Sequence, residues 1–586
     1  MKYRNISQGR FIERPNRFIA YVEINGRKET VHVKNTGRCL ELLVPGAKVY
    51  VQESENPERK TKWDLIAVEK NEKLINMDSQ IPNQTVKEWL ESGKADWFPG
   101  CRMKIRPEYT YGNSRIDLYV EAEEGEKNRR ILIEVKGVTL EERGVVRFPD
   151  APSERAVKHV EELVRAVKEG YEAYVFFVIQ MKGARYFTPN MDTHHAFGEA
   201  LRGAASRGVH ILAYDCEVTP DSITLDASVP VVLGEPLLFE IREPLIRWYR
   251  ENKRDLPWRK APDAYRVWVS EIMLQQTRVE AVKPYYERFL KELPTVQALA
   301  EAEEDTLLKL WEGLGYYNRV RNMQKAAQQI MIDYQGKFPD AYEEIRSLKG
   351  IGEYTAGAIS AFAYGLPKPA VDGNVLRVVS RVLCSDEDIM KQSVRRKVEA
   401  LLEEVIPEDA ASDFNQGLIE LGALVCVPNG EPKCGECPLQ NLCRAHAAGR
   451  ELELPVKTKP KTRRIVERTI FIFWDGETVA LRKRPAKGLL AGLYELPGID
   501  RKMTQDEVIA YSKKIGLTPV RVVPAGEAKH VFSHVEWHMT GFLVVVDELE
   551  KACREEMLFV RPEEVEEKYP VPSAFEKYAE YYRLKL

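Results

Sequence analysis

A change of hydrophobic period near residue 236 constrains the fold of this chain more than any other feature of its sequence. Before it, short strand-like runs such as RFIAYVEING, RIDLYVEA and RILIEVKG dominate. From Pro244 onward, apolar residues recur every three or four positions, as in PLIRWYREN and YRVWVSEIMLQQT, which is the pattern of amphipathic helices. The Pro- and Gly-containing run SVPVVLGEP separates the two patterns. A domain boundary is therefore predicted near residue 236.

The length and charge of the chain limit what it can be. Its 586 residues exceed one hydrophobic core and predict three or four domains. A formal net charge of −3 means that any binding of nucleic acid depends on local basic patches. The beginning, MKYRNISQGRFIERP, has no apolar targeting region, and the longest apolar run, YVFFVIQM, is too short to span a bilayer. We expect a cytoplasmic protein.

The N-terminal part divides into two predicted domains. Residues 1–80 alternate apolar and polar positions between Gly, Asn and Pro turns, which predicts a small β barrel. Residues 81–233 mix strands with one clear helix, SERAVKHVEELVRAVKEG, for which Ser153 is the expected N-cap. An α/β domain is predicted there.

A pattern of charged residues in this α/β domain predicts a metal site. Asp117 is placed at the end of a strand, and Glu134 and Lys136 are two residues apart on the strand ILIEVKG, so both project from one face. Carboxylates on adjacent strands can hold Mg²⁺, and a lysine beside them can orient the attacking water. On these three residues alone, a solvated ion pair explains the pattern equally well.

Longer stretches of this region resemble a known family. The runs GRFIERPNRFIAYVEI, HVKNTGRCLELLVPG, LIEVKGVTLEERGVVRFPDAPSERAVKHVEEL and YFTPNMDTHHAFGEAL are similar to the SfsA family, and the match covers nearly all of residues 1–233. The resemblance implies an oligonucleotide-binding (OB-like) barrel joined to a PD-(D/E)xK nuclease-like domain, with DNA binding. It implies that Asp117, Glu134 and Lys136 form the metal site.

A glycine-rich segment lies in the middle of the helical region. Residues 348–375, LKGIGEYTAGAISAFAYGLPKPAVDGNV, predict a helix end, a tight turn at Gly350 and Gly352, a helix, and Asp372 at the start of another helix. The N–H groups that begin a helix after such a turn can bind a phosphate. An isolated turn of this kind is more often an ordinary connection between packed helices.

Three motifs together resemble the adenine DNA glycosylases of the MutY family: SEIMLQQT, GIGEYTAG with VDGNV, and a cluster of cysteines. The resemblance covers roughly residues 240–586. It implies that Glu271 is the general acid, that Asp372 stabilises the sugar cation or acts as nucleophile, and that Tyr354 and Asn374 orient the pair. It also implies contacts with the substrate: Trp258, Arg259 and Gln416 in the adenine pocket, Gln276 and Tyr316 in the base stack, and Gly350 and Gly352 of the hairpin on the DNA backbone.

The two acids suit this chemistry because their environments differ. Glu271 is flanked by Val269, Ile272 and Met273, so desolvation should raise its pKa and let it protonate the leaving adenine. Asp372, at a helix start, should stay ionised. Taken singly, Glu271 could be a solvent-facing acid, and Asp372 an N-cap that serves the backbone of the next helix.

The cysteines give the most specific local pattern. Cys426, Cys434, Cys437 and Cys443 lie within eighteen residues, and by number alone they suit a 4Fe-4S cluster or a zinc ion. The resemblance implies the 4Fe-4S cluster, although the first gap has seven residues where the family has six. Lys433 in this gap is predicted to contact a phosphate, with a solvated lysine as the alternative. The remaining cysteines are expected to be buried thiols without disulfides: Cys39, Cys101, Cys216, Cys384, Cys553.

The C-terminal region resembles the Nudix-like domain of the same family. It contains the strand-like runs TIFIFWDG and KHVFSHVEWHMTGFLVVV. The resemblance implies that Phe532, Ser533 and His534, in the second run, recognise 8-oxoguanine. A packed Phe and a turn-capping Ser are the alternative reading. The run IAYSKKIGL lacks the acids of a working Nudix hydrolase, so pyrophosphatase activity is not expected.

The sequence thus predicts a multidomain α/β plus all-α protein. The expected domains are an OB-like barrel (1–80), a PD-(D/E)xK nuclease-like domain (81–233), a helix-hairpin-helix all-α glycosylase with a 4Fe-4S cluster (240–455) and a Nudix-like α+β domain (465–586). We expect a monomer that hydrolyses adenine from mispairs with 8-oxoguanine or guanine in double-stranded DNA. The alternatives are a metal-dependent nuclease, with Mg²⁺ at Asp117 and Glu134, targeted by the glycosylase half, and a non-catalytic DNA-binding regulator.

Overall fold

The computed structural model describes residues 1–586 except 36, 57, 96, 98–101, 113, 125–126, 459–461, 548, 550–555 and 584–586. The described residues form two compact units, Met1–Glu240 and Ile241–Leu586. Within the described part of the chain, no helix is both long and apolar enough to cross a membrane. Cys101 and Cys553, which were expected to be buried thiols, lie outside the described residues.

The first unit begins with a β barrel. Its strands are β1 (Ile6–Asn16), β2 (Ile19–Ile24), β3 (Arg27–Val33), β4 (Lys48–Glu53), β5 (Trp63–Lys70) and β6 (Lys73–Asn76). They pair in the order β3-β2-β1-β4-β5-β6, and β3 also pairs with β5, which closes the sheet on itself. The apolar residues of the alternating pattern, such as Val22, Val49 and Leu65, are fully buried inside. The predicted OB-like barrel is confirmed.

An α/β domain completes the first unit. Its elements are α1 (Ile81–Glu91), β7 (Arg102–Tyr111), β8 (Ser114–Glu124), β9 (Lys127–Val138), β10 (Leu140–Glu142), β11 (Val145–Phe148), α2 (Glu154–Lys168), β12 (Glu172–Ile179), β13 (Tyr186–Pro189), α3 (His195–Ala205), β14 (Val209–Thr219), β15 (Ser222–Ser228) and α4 (Pro236–Glu240). The main sheet has the order β15-β14-β12-β9-β8-β7. Ser153 caps α2 as predicted, because its hydroxyl accepts from the Ala156 N–H at 3.3 Å.

The position of Asp117 differs from the prediction. Asp117 lies inside β8 rather than at a strand end, because β8 continues to Glu124 and stays paired with β9 over that length. Glu134 and Lys136 lie on β9, the neighbouring antiparallel strand. The two carboxylates are therefore on adjacent strands, as the predicted metal site requires.

The second unit begins with helices. They are α5 (Arg242–Asn252), α6 (Pro257–Lys260), α7 (Ala264–Leu274), α8 (Val279–Glu292), α9 (Val296–Glu301), α10 (Glu304–Leu310), α11 (Asn318–Asp333), α12 (Tyr342–Ser347), α13 (Glu353–Tyr364), α14 (Gly373–Leu383), α15 (Gln392–Glu403), α16 (Ala411–Leu424) and α17 (Arg444–Ala447). Helices α12 and α13 form the predicted helix-hairpin-helix. Gly350 has a φ of +80°, and a Cβ there would lie 2.7 Å from Asn322 Cβ, whereas Gly352 has ordinary φ and open space around it.

A mixed sheet with flanking helices ends the chain. Its elements are β16 (Arg464–Trp474), β17 (Val479–Lys483), β18 (Tyr494–Glu495), β19 (Gly498–Ile499), α18 (Gln505–Lys514), β20 (Pro519–Val531), β21 (Val535–Val546), β22 (Leu558–Val560), α19 (Pro562–Lys568) and α20 (Glu576–Arg583). The sheet runs β18-β17-β16-β21-β20, with β16 and β21 parallel. Phe471 packs on Tyr511 of α18, and Trp537 packs with Phe575 next to α20, so both faces are covered.

Candidate functional site

One cavity of the second unit brings the predicted site residues together. It has a volume of about 790 Å³ and opens between α7, α13, α14 and α16. Its walls include predicted catalytic, adenine-pocket and base-stack residues: Trp258, Arg259, Glu271, Gln276, Tyr354, Asp372, Asn374, Gln416. These residues are up to about 160 positions apart in sequence, so the helix packing assembles the cavity.

Glu271 is buried on the apolar helix α7. Its exposed fraction is 6 %, which excludes the solvent-facing alternative. Burial raises the pKa of this carboxyl to about 7, and the charge of Asp372 adds to the rise. The Tyr354 hydroxyl donates to Glu271 Oε2 at 2.5 Å and opposes it. The predicted rise in pKa is confirmed, and the carboxyl can hold or release a proton near neutral pH.

Tyr354 lies in the first turn of α13, directly after the glycine turn. Burial and the nearby carboxylates of Glu271 and Asp372 raise the pKa of its hydroxyl well above the ordinary value. The hydroxyl therefore stays protonated and acts as a donor. It fixes Oε2 of Glu271, a residue that lines the cavity.

Asp372 is both an N-cap and a cavity residue. Its Oδ1 accepts from the N–H groups of Asn374 and Val375, each at 2.8 Å, and its Oδ2 accepts from Asn374 Nδ2 at 2.7 Å. The helix start was expected to keep this group ionised. These donors and Arg377 do lower the pKa, but burial outweighs them and places the pKa above its ordinary value. The helix start alone therefore does not set the pKa of this carboxyl, because burial raises it.

Arg377 is a site residue that the sequence analysis did not predict. It is buried on α14, and its Nη2 donates to Asn374 Oδ1 at 2.7 Å while its Nε donates to the Cys426 carbonyl at 2.7 Å. Asn374 is thereby fixed between Asp372 and Arg377. The available signal was an arginine between the apolar pairs of the run VLRVV.

A buried ion-pair network supports the other wall of the cavity. Glu420 is fully buried and accepts from Arg254 Nε and Nη2 at 2.8 Å and from Arg259 Nη2 at 3.0 Å. Burial opposes ionisation, but these hydrogen bonds outweigh it and hold the pKa of Glu420 at about 2. Arg259 Nε in turn donates to Gln416 Oε1 at 2.9 Å. Arg254 and Glu420 were missed, although Glu420 interrupts the apolar run LIELGALV.

The predicted base-stack residues share an unusual backbone. Gln276 has a φ of +60° and Tyr316 a φ of +49°, which side-chain-bearing residues rarely adopt, and Tyr316 is 48 % exposed. Arg319, which the sequence analysis did not single out, joins their loops. Its guanidinium donates to the carbonyls of Gln275 at 2.7 Å and Gly315 at 3.1 Å. Both strained loops are thus anchored by one half-buried side chain.

The cysteines Cys426, Cys434, Cys437 and Cys443 come together beside α14. Burial raises the pKa of Cys437 to about 12, and the three neighbouring thiols add to the rise. Four cysteines in one region are the donor set of an iron-sulfur or zinc centre, so these residues fit either group. Lys433 is exposed and pairs with Glu436 at 3.8 Å, so it is also available to a phosphate.

The other cysteines differ in burial. Cys39 and Cys216 are buried as expected, whereas Cys384 is only half-buried. Cys384 ends α14 in the left-handed conformation, which brings its side chain toward the surface beside Arg450. The expectation of full burial is wrong for this residue.

Phe532, Ser533 and His534 form the turn between β20 and β21. Phe532 packs on Trp537 with ring centroids 4.8 Å apart, while Ser533 and His534 are exposed. Together with Tyr316 they line a second cavity of about 580 Å³. The structure therefore places the predicted 8-oxoguanine residues opposite a predicted base-stack residue.

The acidic site of the first unit is buried. Glu134 is 1 % exposed and its Oε1 accepts from Lys136 Nζ and pairs with His159 Nδ1, which excludes a solvated ion pair. Burial and the charge of Glu134 raise the pKa of Asp117, whose oxygens accept from Asn83 Nδ2 and the Val135 N–H, each at 2.8 Å. Burial opposes ionisation of Glu134, but His159 and Lys136 outweigh it and lower its pKa.

Comparison with family models agrees with this domain order. Residues 12–77 match the SfsA N-terminal OB domain and residues 80–222 the sugar fermentation stimulation protein RE domain. Residues 269–407 match the HhH-GPD superfamily base excision DNA repair protein, and residues 469–581 match a NUDIX domain. The helical fold and this match thus define an HhH-GPD base-excision DNA repair glycosylase domain, which stands between an SfsA module and a Nudix-like domain.

Relatives of the N-terminal region are strongly similar. The sugar fermentation stimulation protein homolog of Desulfitobacterium hafniense is 58 % identical over 235 residues, which cover 40 % of this chain and 100 % of the relative. The homolog of Clostridium beijerinckii is 55 % identical over 233 residues, 40 % of this chain and 100 % of the relative. The chain belongs to the SfsA family through this N-terminal region.

Solved structures similar to parts of the chain include SfsA of Pyrococcus furiosus in complex with Ca²⁺. That structure has 27 % sequence identity and a TM-score of 0.36, and covers 39 % of this chain and 97 % of its own. A thermostable thymine-DNA glycosylase has 26 % identity and a TM-score of 0.34, covering 36 % and 98 %.

Proposed function

We propose that the second unit is a monofunctional adenine DNA glycosylase that acts on adenine mispaired with 8-oxoguanine or guanine. One observation carries this proposal: Glu271, with a pKa of about 7, lies in the same cavity as Asp372 and accepts a hydrogen bond from the Tyr354 hydroxyl. Cleavage of an N-glycosidic bond needs a proton for the leaving base and a negative charge beside the sugar cation. Two carboxyl groups at this site supply both.

In the proposed reaction, the adenine leaves the duplex and enters the cavity beside Trp258, Arg259 and Gln416. Protonated Glu271 donates its proton to N7 of the adenine, which makes the base a better leaving group. The C1′–N9 bond then breaks, and ionised Asp372 stabilises the resulting sugar cation. Water adds at C1′ and gives a proton to the deprotonated Glu271, which leaves an abasic site, free adenine and a protonated Glu271.

Tyr354 supports hydrolysis rather than attack by an amine. The related endonuclease-III-like glycosylases attack with a lysine two residues after the second glycine of the hairpin, and this chain has Tyr354 at that position. A tyrosine whose pKa lies well above its ordinary value does not replace the amine. The product of this chain is therefore an abasic site in an unbroken strand.

The cysteine cluster is proposed to hold a 4Fe-4S centre. Cys426, Cys434, Cys437 and Cys443 would be its ligands, and the bound cluster would fix the loop that carries Lys433. Arg381 Nη1 donates to Cys426 Sγ at 3.2 Å, which suits a thiolate better than a thiol. Contacts of Lys433 and of the α13 N-terminus with DNA phosphates complete the proposed binding of double-stranded DNA.

The decisive test is single-turnover release of adenine from a duplex with adenine opposite 8-oxoguanine, in EDTA. We expect release by the native chain and a loss of at least about a hundredfold for Glu271→Gln, which removes the proton donor. Glu280→Gln, an exposed acid on the next helix, is the matched control and should release adenine at the native rate. Binding of the duplex without release by the native chain would rule out the proposal.

A second function is proposed for the first unit: hydrolysis of nucleic-acid phosphodiesters that depends on a divalent metal. Among the described residues, the buried Glu134 Oε2 has no hydrogen-bond partner, and a carboxylate oxygen in that state fits a hard cation. Asp117 and Glu134 would hold the metal, which would polarise the phosphate. Lys136 would orient the attacking water.

This second proposal is tested with linear and single-stranded DNA in Mg²⁺ or EDTA. Cleavage should need Mg²⁺ and disappear in Asp117→Asn, while Asp221→Asn, an exposed turn residue of the same domain, retains it. Mg²⁺-dependent cleavage that persists in Asp117→Asn would exclude this site.

The domain limits predicted from the sequence, 1–80, 81–233, 240–455 and 465–586, and a monomeric chain remain part of the proposal. Size-exclusion chromatography with light scattering tests the monomer.

A further inference from the structure

A short segment of the Nudix-like region places apolar side chains in the core of the helical region. Leu493, just before β18, is fully buried in the hydrophobic core formed by α7 to α13, and Leu490 packs against the same core. A side chain in a neighbouring core contributes burial that a flexible tether does not. The two regions are therefore packed together, and the segment 488–493 is the connection.

Arg321 on α11 binds this segment. Its Nη2 donates to the Ala491 carbonyl at 2.9 Å and its Nε donates to Glu304 Oε1 at 2.8 Å, with 18 % of the side chain exposed. Gly492 has a φ of +70°, and a Cβ there would lie 2.8 Å from Arg321 Nη2. Because glycine has no Cβ, the backbone at Gly492 can lie closer to the guanidinium than any other residue would permit.

A second set of contacts lies between α10 and the C-terminal region. The Val571 N–H donates to Glu312 Oε1 at 2.8 Å, and Lys309 Nζ donates to the Val565 carbonyl at 3.4 Å. Pro572, which follows Val571, lines the same 580 Å³ cavity as Tyr316 and Ser533. The cavity is therefore bounded on two sides by contacts between the regions.

The position of Arg321 links this connection to the cavity. Arg321 lines the cavity itself, five residues after Tyr316, and Leu490 and Ala491 line it from the other side. A shift of the segment 488–493 relative to α11 would change the distance between Tyr316 and the turn of Phe532 to His534. Arg321 is the polar group that joins the two sides at this point.

We propose that Arg321 is a positioning residue that sets the width of this cavity and so the preference for the base opposite the excised adenine. The inference rests on the proposed glycosylase function. The base in question is an oxidised purine, whose extra carbonyl and N–H distinguish it from guanine. Arg321 need not touch this base, because it acts through the spacing of Tyr316 and Ser533.

The test compares single-turnover adenine release opposite 8-oxoguanine with release opposite guanine. We expect Arg321→Ala to lower release opposite 8-oxoguanine about tenfold, as for loss of a hydrogen bond from a charged donor, and to leave release opposite guanine nearly unchanged. Arg321→Lys should restore part of the preference. Gly492→Ala, which disturbs the same contact from the other side, should resemble Arg321→Ala.

Arg288→Ala is the matched control, because Arg288 donates to the Leu310 carbonyl at 3.4 Å within the helical region and lies away from the cavity. Its preference should equal that of the native chain. Equal losses opposite both bases in Arg321→Ala, or an unchanged preference, would overturn the inference while adenine excision stands. A native chain that releases adenine from neither duplex would overturn both.

Discussion

Tyr354 and Glu271, 83 residues apart in sequence, are joined by a hydrogen bond of 2.5 Å between the Tyr354 hydroxyl and Glu271 Oε2. The tyrosine follows the glycine turn of the hairpin, and the glutamate lies inside an apolar helix. The helix after the hairpin turn and the proposed proton donor are thus connected directly by one hydrogen bond.

The Tyr354→Phe variant should change the pH profile of adenine release. The hydroxyl lowers the pKa of Glu271, so its removal should raise that pKa above about 7. The rate should then begin to fall at a higher pH than in the native chain, because Glu271 keeps its proton longer. Single-turnover rates between pH 5 and pH 10 measure this shift. Tyr364→Phe, on the same helix with its hydroxyl on the Phe338 carbonyl, should keep the native profile.

Glu271→Gln should increase stability at alkaline pH. The folded pKa of about 7 exceeds the ordinary 4.5, so the folded state keeps a proton that the unfolded state loses between these values. Stability due to this group therefore falls as pH rises from 4.5 to 7, by about 3 kcal/mol in total. Glutamine has no such cost. Denaturation followed by circular dichroism should show a gain for the variant at pH 8 and little difference at pH 4.5.

Glu420→Gln should destabilise the second unit at neutral pH. The pKa of Glu420 is held at about 2, below the ordinary 4.5, so its stabilisation is present above pH 4.5 and is lost as pH falls toward 2. The variant leaves Arg254 and Arg259 without their buried carboxylate and should cost about 3 kcal/mol at pH 7. Asp413 lies on the same helix as Glu420, and its ion pair with Arg250 is near the surface. Asp413→Asn removes this pair and should cost less than about 1 kcal/mol. Similar losses in both variants would contradict the assignment.

Arg319→Ala should weaken the distortion of the duplex at the mispair. Without this guanidinium, the loops of Gln276 and Tyr316 lose their shared anchor, and their left-handed residues relax. We expect about tenfold weaker binding of a mispaired duplex, as for loss of hydrogen bonds from a charged donor. Fluorescence of 2-aminopurine beside the mispair should rise with the native chain and not with the variant. Arg266→Ala, whose partner Asp263 is exposed, should behave as the native chain.

Variants of Lys433 and Cys437 should show that contact with DNA and binding of the cluster are separate properties. Lys433→Ala should keep the visible absorbance of the cluster and reduce the slope of log K against log salt by about one, as for one lost phosphate contact. Cys437→Ser should lose the absorbance. Lys325→Ala, an exposed lysine on α11, should change neither quantity. An unchanged salt slope in Lys433→Ala would assign this lysine to solvent and to Glu436.

Local sequence patterns determined much of this protein. Period alone predicted the barrel and the helical region, the turn at Gly350 follows from its left-handed backbone, and the apolar neighbours of Glu271 predicted its raised pKa. The cap at Asp372 was also foreseen as the alternative to a catalytic role, and the structure shows that one carboxylate caps the helix and lines the cavity. These features depend on residues that are close in sequence.

Tertiary structure alone decided which distant groups meet. Arg377 donates a hydrogen bond to the carbonyl of Cys426, 49 residues away. Arg259 donates to the carboxylate of Glu420, 161 residues away. Such partners leave no local pattern, since a buried charge shows only as a polar residue in an apolar run. The pKa of Asp372 is another such outcome: its helix start favours the ionised form, but burial, which depends on the packing of several helices, raises the pKa. Sequence sets period and caps because these are local, whereas burial and long-range pairing exist only in the packed fold.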